Sequence, residues 1–124
     1  MFSTTAIISP CVPEDAQLDL IQWSPSGNSF AIASSSEIHI ISNPLYSTTT
    51  TLNLDTKCRA FKYSPNGMYL AAINYNGIFY MFNMANNNAD ESPLMFKKGI
   101  ESPLHDLVWD PKANGICLVQ LLAA

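Results

Sequence analysis

The segment WSPSG at residues 23–27 has a near copy, YSPNG, at residues 63–67, and WDPKANG at residues 109–115 is a third copy with two inserted residues. The first residues of the copies are 40 and 46 positions apart. In each copy proline presets a turn and glycine accepts a positive φ, so the chain reverses there. This spacing is typical of a propeller blade of four strands. Three unrelated β-hairpins are the alternative, and the shared spacing and strand order favour true repeats.

The residues between these turns alternate or are β-branched, as strands are. Two units predict four strands each and the third predicts two: residues 18–23, 29–34, 37–42 and 46–54, then 58–63, 68–73, 78–84 and 94–98, then 103–109 and 116–122. The sequence therefore predicts an all-β chain of antiparallel four-stranded meanders. Residues 1–124 are interpreted as one incomplete propeller with blades at 18–54 and 58–98 and a half blade at 103–122.

The repeated residues have structural roles in this interpretation. The aromatic residue ends the first strand of its unit and is predicted to pack between neighbouring sheets, while an Asn-Gly dipeptide predicts a hairpin turn between the second and third strands. The predicted structural repeat positions are Trp23, Pro25, Gly27, Tyr63, Pro65, Gly67, Asn76, Gly77, Trp109, Pro111 and Gly115.

These motifs resemble the WD40 family of β-propellers over nearly the whole chain. A unit of that family has Gly-His, a strand ending in Phe or Trp, Ser-Pro-Asp-Gly, Asp-Gly, and a strand ending in Trp-Asp. Here Ser64-Pro65 matches the Ser-Pro, Asn76-Gly77 stands for the Asp-Gly, and Leu54 holds the His position of the second unit. The resemblance implies a non-catalytic scaffold that mediates protein–protein interaction within an intracellular complex.

The sequence departs from that family at the His and Asp positions that form its buried hydrogen-bond network. Apolar packing is therefore predicted to hold these blades together instead. Residues 63–84 with the following PLHDLVWDPKANG also resemble the propeller of replication-fork adaptor proteins, and a divergent propeller near Met1 resembles that of the anaphase-promoting complex. These resemblances imply a role in chromosome replication or the cell cycle.

The number of predicted blades is too small for a ring, because propellers close with about 4–8 blades. Open ends would expose unpaired strand edges and apolar faces. We expect a propeller that is completed by additional blades, by self-association or by a partner. A truncated or non-functional fragment of a longer propeller protein is the alternative.

The composition excludes several classes of function. Hydrophobic residues make up 48% and charged residues 13%, and the net charge is −4, so no basic face for direct nucleic-acid binding is predicted. No stretch reaches the roughly 18 apolar residues of a membrane span, and the N-terminus lacks a basic signal-peptide region. Three widely spaced cysteines, Cys11, Cys58 and Cys117, argue against a disulfide framework. We expect the protein to be located in the cytoplasm or nucleus.

Catalytic or cofactor-binding patterns are weak in this sequence. His105 precedes Asp106, but adjacent strand residues point to opposite faces. His39 alternates with isoleucines on a strand, and the cysteines lack metal-ligand spacing. No catalytic residue, metal ligand or cofactor is predicted. An enzyme with an unrecognised site remains the alternative to a binding module.

A partner surface is predicted where the family resemblance gathers loops on one ring face. These loops are residues 34–37, 54–58, 74–77 and 99–104. Tyr75 is the candidate partner contact, since an aromatic residue in such a loop can anchor a peptide. A turn residue that caps the blade edge is the other interpretation of Tyr75.

Overall fold

The computed structural model describes residues 16–42, 47–85, 92–100, 104–112 and 119–123. These residues form ten strands. The first sheet contains β1 (Ala16–Trp23), β2 (Ser29–Ser34), β3 (Glu37–Ser42) and β4 (Ser47–Asn53). The second sheet contains β5 (Cys58–Tyr63), β6 (Tyr69–Asn74), β7 (Ile78–Asn83) and β8 (Leu94–Gly99). The third sheet contains β9 (Leu104–Trp109) and β10 (Val119–Ala123).

Each sheet is an antiparallel meander in which strands that follow one another along the chain are neighbours. The first strands of the sheets lie side by side, with β5 in contact with both β1 and β9. Four-stranded sheets joined in this order through their first strands are propeller blades. The predicted all-β fold, a partial β-propeller of meander blades, is confirmed, and the strand bounds differ from the predicted ones by a few residues at most.

Strand β6 of the second sheet is buried on both faces. Alternate residues of a strand point to opposite sides, so its side chains enter two different cores. Leu70 and Ala72 of β6 belong to the core between the first two sheets. Ala71 and Ile73 of the same strand belong to the core between the second and third sheets. Strand β6 therefore contributes to both of these cores.

The repeated turn has the same hydrogen bonds in the first two sheets. The Gly27 N–H donates to Ser24 O and the Gly67 N–H donates to Ser64 O, both at 2.9 Å. Gly27 and Gly67 have φ angles of 77° and 75°, which residues other than glycine rarely adopt. The repeat in the sequence therefore corresponds to a repeat in backbone geometry.

The three first-strand aromatics hold equivalent positions in their ladders but differ in burial. Tyr63 is 8% exposed and Trp109 is 7% exposed, whereas Trp23 is 52% exposed. The Tyr63 N–H donates to Gln22 Oε1 (2.7 Å), so Gln22 faces the second sheet and Trp23, the next residue, faces away from it. Tyr63 and Trp109 are thus buried against a neighbouring sheet. The Trp23 ring meets Phe30 at 5.2 Å between centroids, and its packing between two sheets stays a prediction.

Some sequence-based predictions lie outside the described residues. Gly115, Cys11 and Cys117 are among them, as are the side chains of His105 and Asp106. No helix long and apolar enough to cross a membrane occurs in the described part of the chain.

Candidate functional site

The connection from β4 to β5 crosses one end of the first two sheets. On the side of the first sheet, the Leu54 N–H donates to Ser36 O (2.8 Å) and the Cys58 N–H donates to Ser35 O (3.0 Å). Ser35 has a φ of 53°, which turns the chain tightly after β2. The connection is thus bonded to the β2–β3 turn at both of its ends.

The same connection is bonded to the second sheet. The Tyr75 N–H in the β6–β7 turn donates to Lys57 O (3.0 Å). The Ile100 N–H, which follows β8, donates to Gly77 O (2.8 Å). The described parts of the four loops predicted to share a face are therefore joined through main-chain hydrogen bonds.

Asn74 is the side chain that holds this end of the second sheet together. It is 1% exposed. Its Oδ1 accepts from the Asn76 and Ile78 N–H groups, each at 3.0 Å. Its Nδ2 donates to Leu54 O (2.8 Å). One amide thus shapes the β6–β7 turn and attaches it to the β4–β5 connection.

The Tyr80 hydroxyl extends this network towards the surface. It accepts from Asn74 Nδ2 (3.2 Å) and contacts Leu54 O (2.7 Å) and Asp55 Oδ2. A phenol has one proton, and a carboxylate is a stronger acceptor than a carbonyl, so we assign the donation to Asp55. Burial, then the bond to Asp55, raises the pKa of Tyr80 well above its usual range. The same bond, followed by that from Lys97, lowers the pKa of Asp55.

This network corrects the prediction that apolar packing alone holds the blades together. Leu54, at the position of the family's His, is fully buried, and its backbone carbonyl enters the network in place of a side chain. The sequence pattern did not predict a role for Asn74, Tyr80 or Asp55. The available signal was an asparagine that ends a strand two residues before an Asn-Gly dipeptide.

Tyr75 lies at the outer edge of this face and is 55% exposed. The centroid of its ring is 5.1 Å from Arg59 Cζ and 5.6 Å from Lys57 Nζ. These distances are typical of cation–π contacts. We call Lys57, Arg59 and Tyr75 the Tyr75 patch. Lys97 Nζ lies 3.3 Å from Oδ2 of Asp55, a residue of the same β4–β5 connection as Lys57.

The other predicted repeat positions lie mostly at the opposite end of the sheets. Pro25, Pro65 and Pro111 are exposed in their turns there. A Cβ on Gly67 would lie 3.4 Å from Pro25 Cδ, so the turns of the first two sheets touch. Among the repeat positions that the structure describes, only Asn76 and Gly77 share the end that carries Tyr75.

The described residues show little that resembles a reactive centre. No group of three or more His, Cys, Asp or Glu side chains gathers among them. His39 Nε2 lies 3.6 Å from Glu37 Oε1, and Nδ1 lies 3.5 Å from the Thr51 hydroxyl. Burial raises the pKa of the Cys58 thiol to about 12, so at neutral pH it remains protonated and poorly nucleophilic.

Comparison with known proteins identifies the fold. No family model matches the chain, and no curated protein matches it. The chain is similar to the crystal structure of the beta-propeller domain of Cps50 (Swd1) from Myceliophteria thermophila, with a TM-score of 0.64 and 9% sequence identity. The match covers 90% of this chain and 38% of that one. The chain therefore has a propeller fold and spans well under half the length of that propeller chain.

Proposed function

We propose that this chain is a non-catalytic, WD40-type scaffold that binds protein partners through the Tyr75 patch. The observation that carries the proposal is an exposed aromatic ring on loops locked to one another by main-chain hydrogen bonds. Because the surface is already ordered, binding costs little conformational entropy. The setting, an assembly of chromosome replication or the cell cycle in the cytoplasm or nucleus, rests on the sequence resemblance alone.

Affinity capture of the tagged protein from cells that express it, followed by quantitative mass spectrometry, tests this proposal. Tyr75→Ala is expected to lower recovery of the partner by roughly tenfold, as for a central aromatic contact. Met68→Ala is the matched control, because Met68 is 41% exposed but lies at the opposite end of the second sheet. Equal recovery with wild type and Tyr75→Ala would exclude this face as the binding surface.

We also propose that the described sheets are part of a larger ring, completed by additional blades or by further copies of the chain. Two four-stranded sheets and one two-stranded sheet are described, and propellers close with about 4–8 blades. The similar propeller chain, of which the match covers 38%, supports this proposal. Light scattering of the purified 124-residue chain is expected to show assemblies larger than one copy. A soluble, cooperatively unfolding monomer would contradict it.

A further inference from the structure

The sheets of this molecule stack in one direction. In β5 the aromatic residue Tyr63 points back to the first sheet, and in β9 Trp109 points back to the second. The residue before the aromatic points the other way, because neighbours in a strand face opposite sides. Gln22 shows this in the first sheet, since its Oε1 accepts from the Tyr63 N–H of the second. Each sheet therefore has a back face that carries an aromatic residue and a forward face that points to the next sheet.

The contact between the second and third sheets shows how a forward face binds an aromatic residue. Trp109 is 7% exposed, and its Nε1–H donates to Lys62 O (3.0 Å). A buried indole N–H usually has such an acceptor. Lys62 directly precedes Tyr63, the aromatic residue of its own strand. The acceptor is a main-chain carbonyl, so any residue at the position before the aromatic can supply it.

The two ends of the stack carry the same pair of features without this contact. Trp23 is 52% exposed on the back face of the first sheet, and its Nε1–H has no hydrogen-bond partner in the part of the chain that the structure describes. On the third sheet, Val108 precedes Trp109 and thus holds the position that Lys62 holds in β5. Val108 is 38% exposed, and it faces away from the second sheet because Trp109 faces towards it. The two end surfaces are therefore complementary.

We propose that copies of this chain associate head to tail, with Trp23 of one copy packed on β9 of the next and its Nε1–H donating to Val108 O there. This inference rests on the proposed completion of the ring by further copies and names the surfaces that meet. Because the two surfaces differ, repetition of the contact gives a closed ring or an open filament. Phe30 and Ile41, beside Trp23 in the sheet, are already buried, so the contact is confined to the Trp23 end of β1.

Sedimentation velocity of the purified 124-residue chain over a range of concentrations tests the role of Trp23. Trp23→Ala is expected to weaken self-association by about thirtyfold, as for a central tryptophan of an interface. Trp23→Phe keeps a ring but removes the N–H donor, and about a fivefold weakening is expected. Tyr75→Ala is the matched control, because Tyr75 is similarly exposed, at 55%, but lies at the other end of the sheets. Its self-association is expected to equal that of the wild type.

A mixing experiment tests the head-to-tail geometry. Val108→Lys places a charge on the forward face of the third sheet, and by itself it is expected to weaken self-association as Trp23→Ala does. Each of these two variants keeps the surface that the other has lost. An equimolar mixture is therefore expected to form one-to-one pairs with the affinity of the wild-type contact. Pairing in the mixture would also show that both variants remain folded.

Several outcomes would overturn the inference. Self-association that is unchanged by Trp23→Ala, as expected if copies pair only through an exposed strand edge, is one of them. Equal weakening by Tyr75→Ala is another. A third is a mixture that fails to pair although circular dichroism shows both variants folded. These results would leave the proposed completion by further copies intact, whereas a monomeric wild-type chain would contradict both. Affinity capture with Tyr75→Ala tests partner binding independently of either.

Discussion

Asn74 is the residue on which the geometry of the loop face depends most. Its side-chain amide makes hydrogen bonds to Asn76 N, Ile78 N and Leu54 O. A substitution that removes the amide would remove all of these bonds together. Buried groups that lose their partners cost about 1–3 kcal/mol each, with partial compensation by relaxation.

We expect Asn74→Ala to lower the free energy of unfolding by about 3 kcal/mol, because it leaves the buried Leu54 carbonyl with fewer donors. Urea unfolding at a fixed protein concentration measures the change. Asn76→Ala is the control, since the Asn76 side chain is exposed, and a change within about 0.5 kcal/mol is expected. Similar losses for both variants would show that the Asn74 network contributes little.

Gly77 combines a positive φ with a close approach to another part of the backbone. Its φ is 78°, and a Cβ there would lie 3.2 Å from Ile100 O. Gly27 has nearly the same φ, 77°, with nothing within 4 Å. We expect Gly77→Ala to destabilise more than Gly27→Ala, for which the conformational cost alone is about 1 kcal/mol. Thermal unfolding of both variants measures the difference. Equal losses of stability would show that the Ile100 backbone moves away from the new Cβ with no energetic penalty.

Tyr80 and Cys58 are expected to make the free energy of unfolding depend on pH in the alkaline range. Both have a raised pKa in the folded state, that of Cys58 being about 12 against an ordinary value of 9.0. The folded protein therefore retains protons that the unfolded chain releases, and stability falls as pH rises through and above about 9–10. We expect Tyr80→Phe to show a shallower decline over this range in urea unfolding. An unchanged slope would show that Tyr80 ionises as easily in the folded state as in the unfolded one.

Strand β8 is the least protected element of the second sheet. All six of its residues are exposed, and it has a strand neighbour on one side only, β7, among the described strands. Leu94, Met95 and Phe96 are 38%, 49% and 49% exposed. An edge strand with exposed apolar side chains is a template for pairing with another chain.

We expect Phe96→Ser to reduce concentration-dependent self-association, because it removes an apolar side chain from this edge. Sedimentation velocity over a range of concentrations measures the effect. Met68→Ser provides the comparison, as it removes a similarly exposed apolar side chain from a turn instead of an edge strand. Self-association that is unchanged by Phe96→Ser would place the contact elsewhere on the molecule.

At the scale of the whole molecule, stability is expected to be highest in the middle of the stack of sheets. Repeat units contact only their neighbours, so a unit with neighbours on both faces opens less readily than an edge. Strand β6 contributes to both cores, whereas β8 is exposed.

We therefore expect amide hydrogen exchange in β6 to be roughly a hundredfold slower than in β8. Exchange measured by mass spectrometry on peptides from the two strands tests this. Comparable rates would show that the second sheet opens as one unit, independently of which strand lies at its edge.

The strands, the turns and the order of the meanders could be predicted from the amino-acid sequence. These features depend on residues close together in the chain, such as the Pro and Gly of the turns at Gly27 and Gly67 and the alternation of β6. Turn conformation and side-chain alternation are set within short segments and do not require that one sheet packs on another. The loop face could be predicted only as a set of segments with Tyr75 among them.

The side chains that meet across the sheets could not be predicted in this way, because their contacts depend on how the sheets pack. The bond from Asn74 to Leu54 spans 20 positions, and that from Tyr80 to Asp55 spans 25. Contacts of this range depend on how one sheet is placed on the next, and local propensity does not encode that placement. Trp23 holds the same position in its motif as Tyr63 but is exposed, because burial depends on the neighbouring sheet.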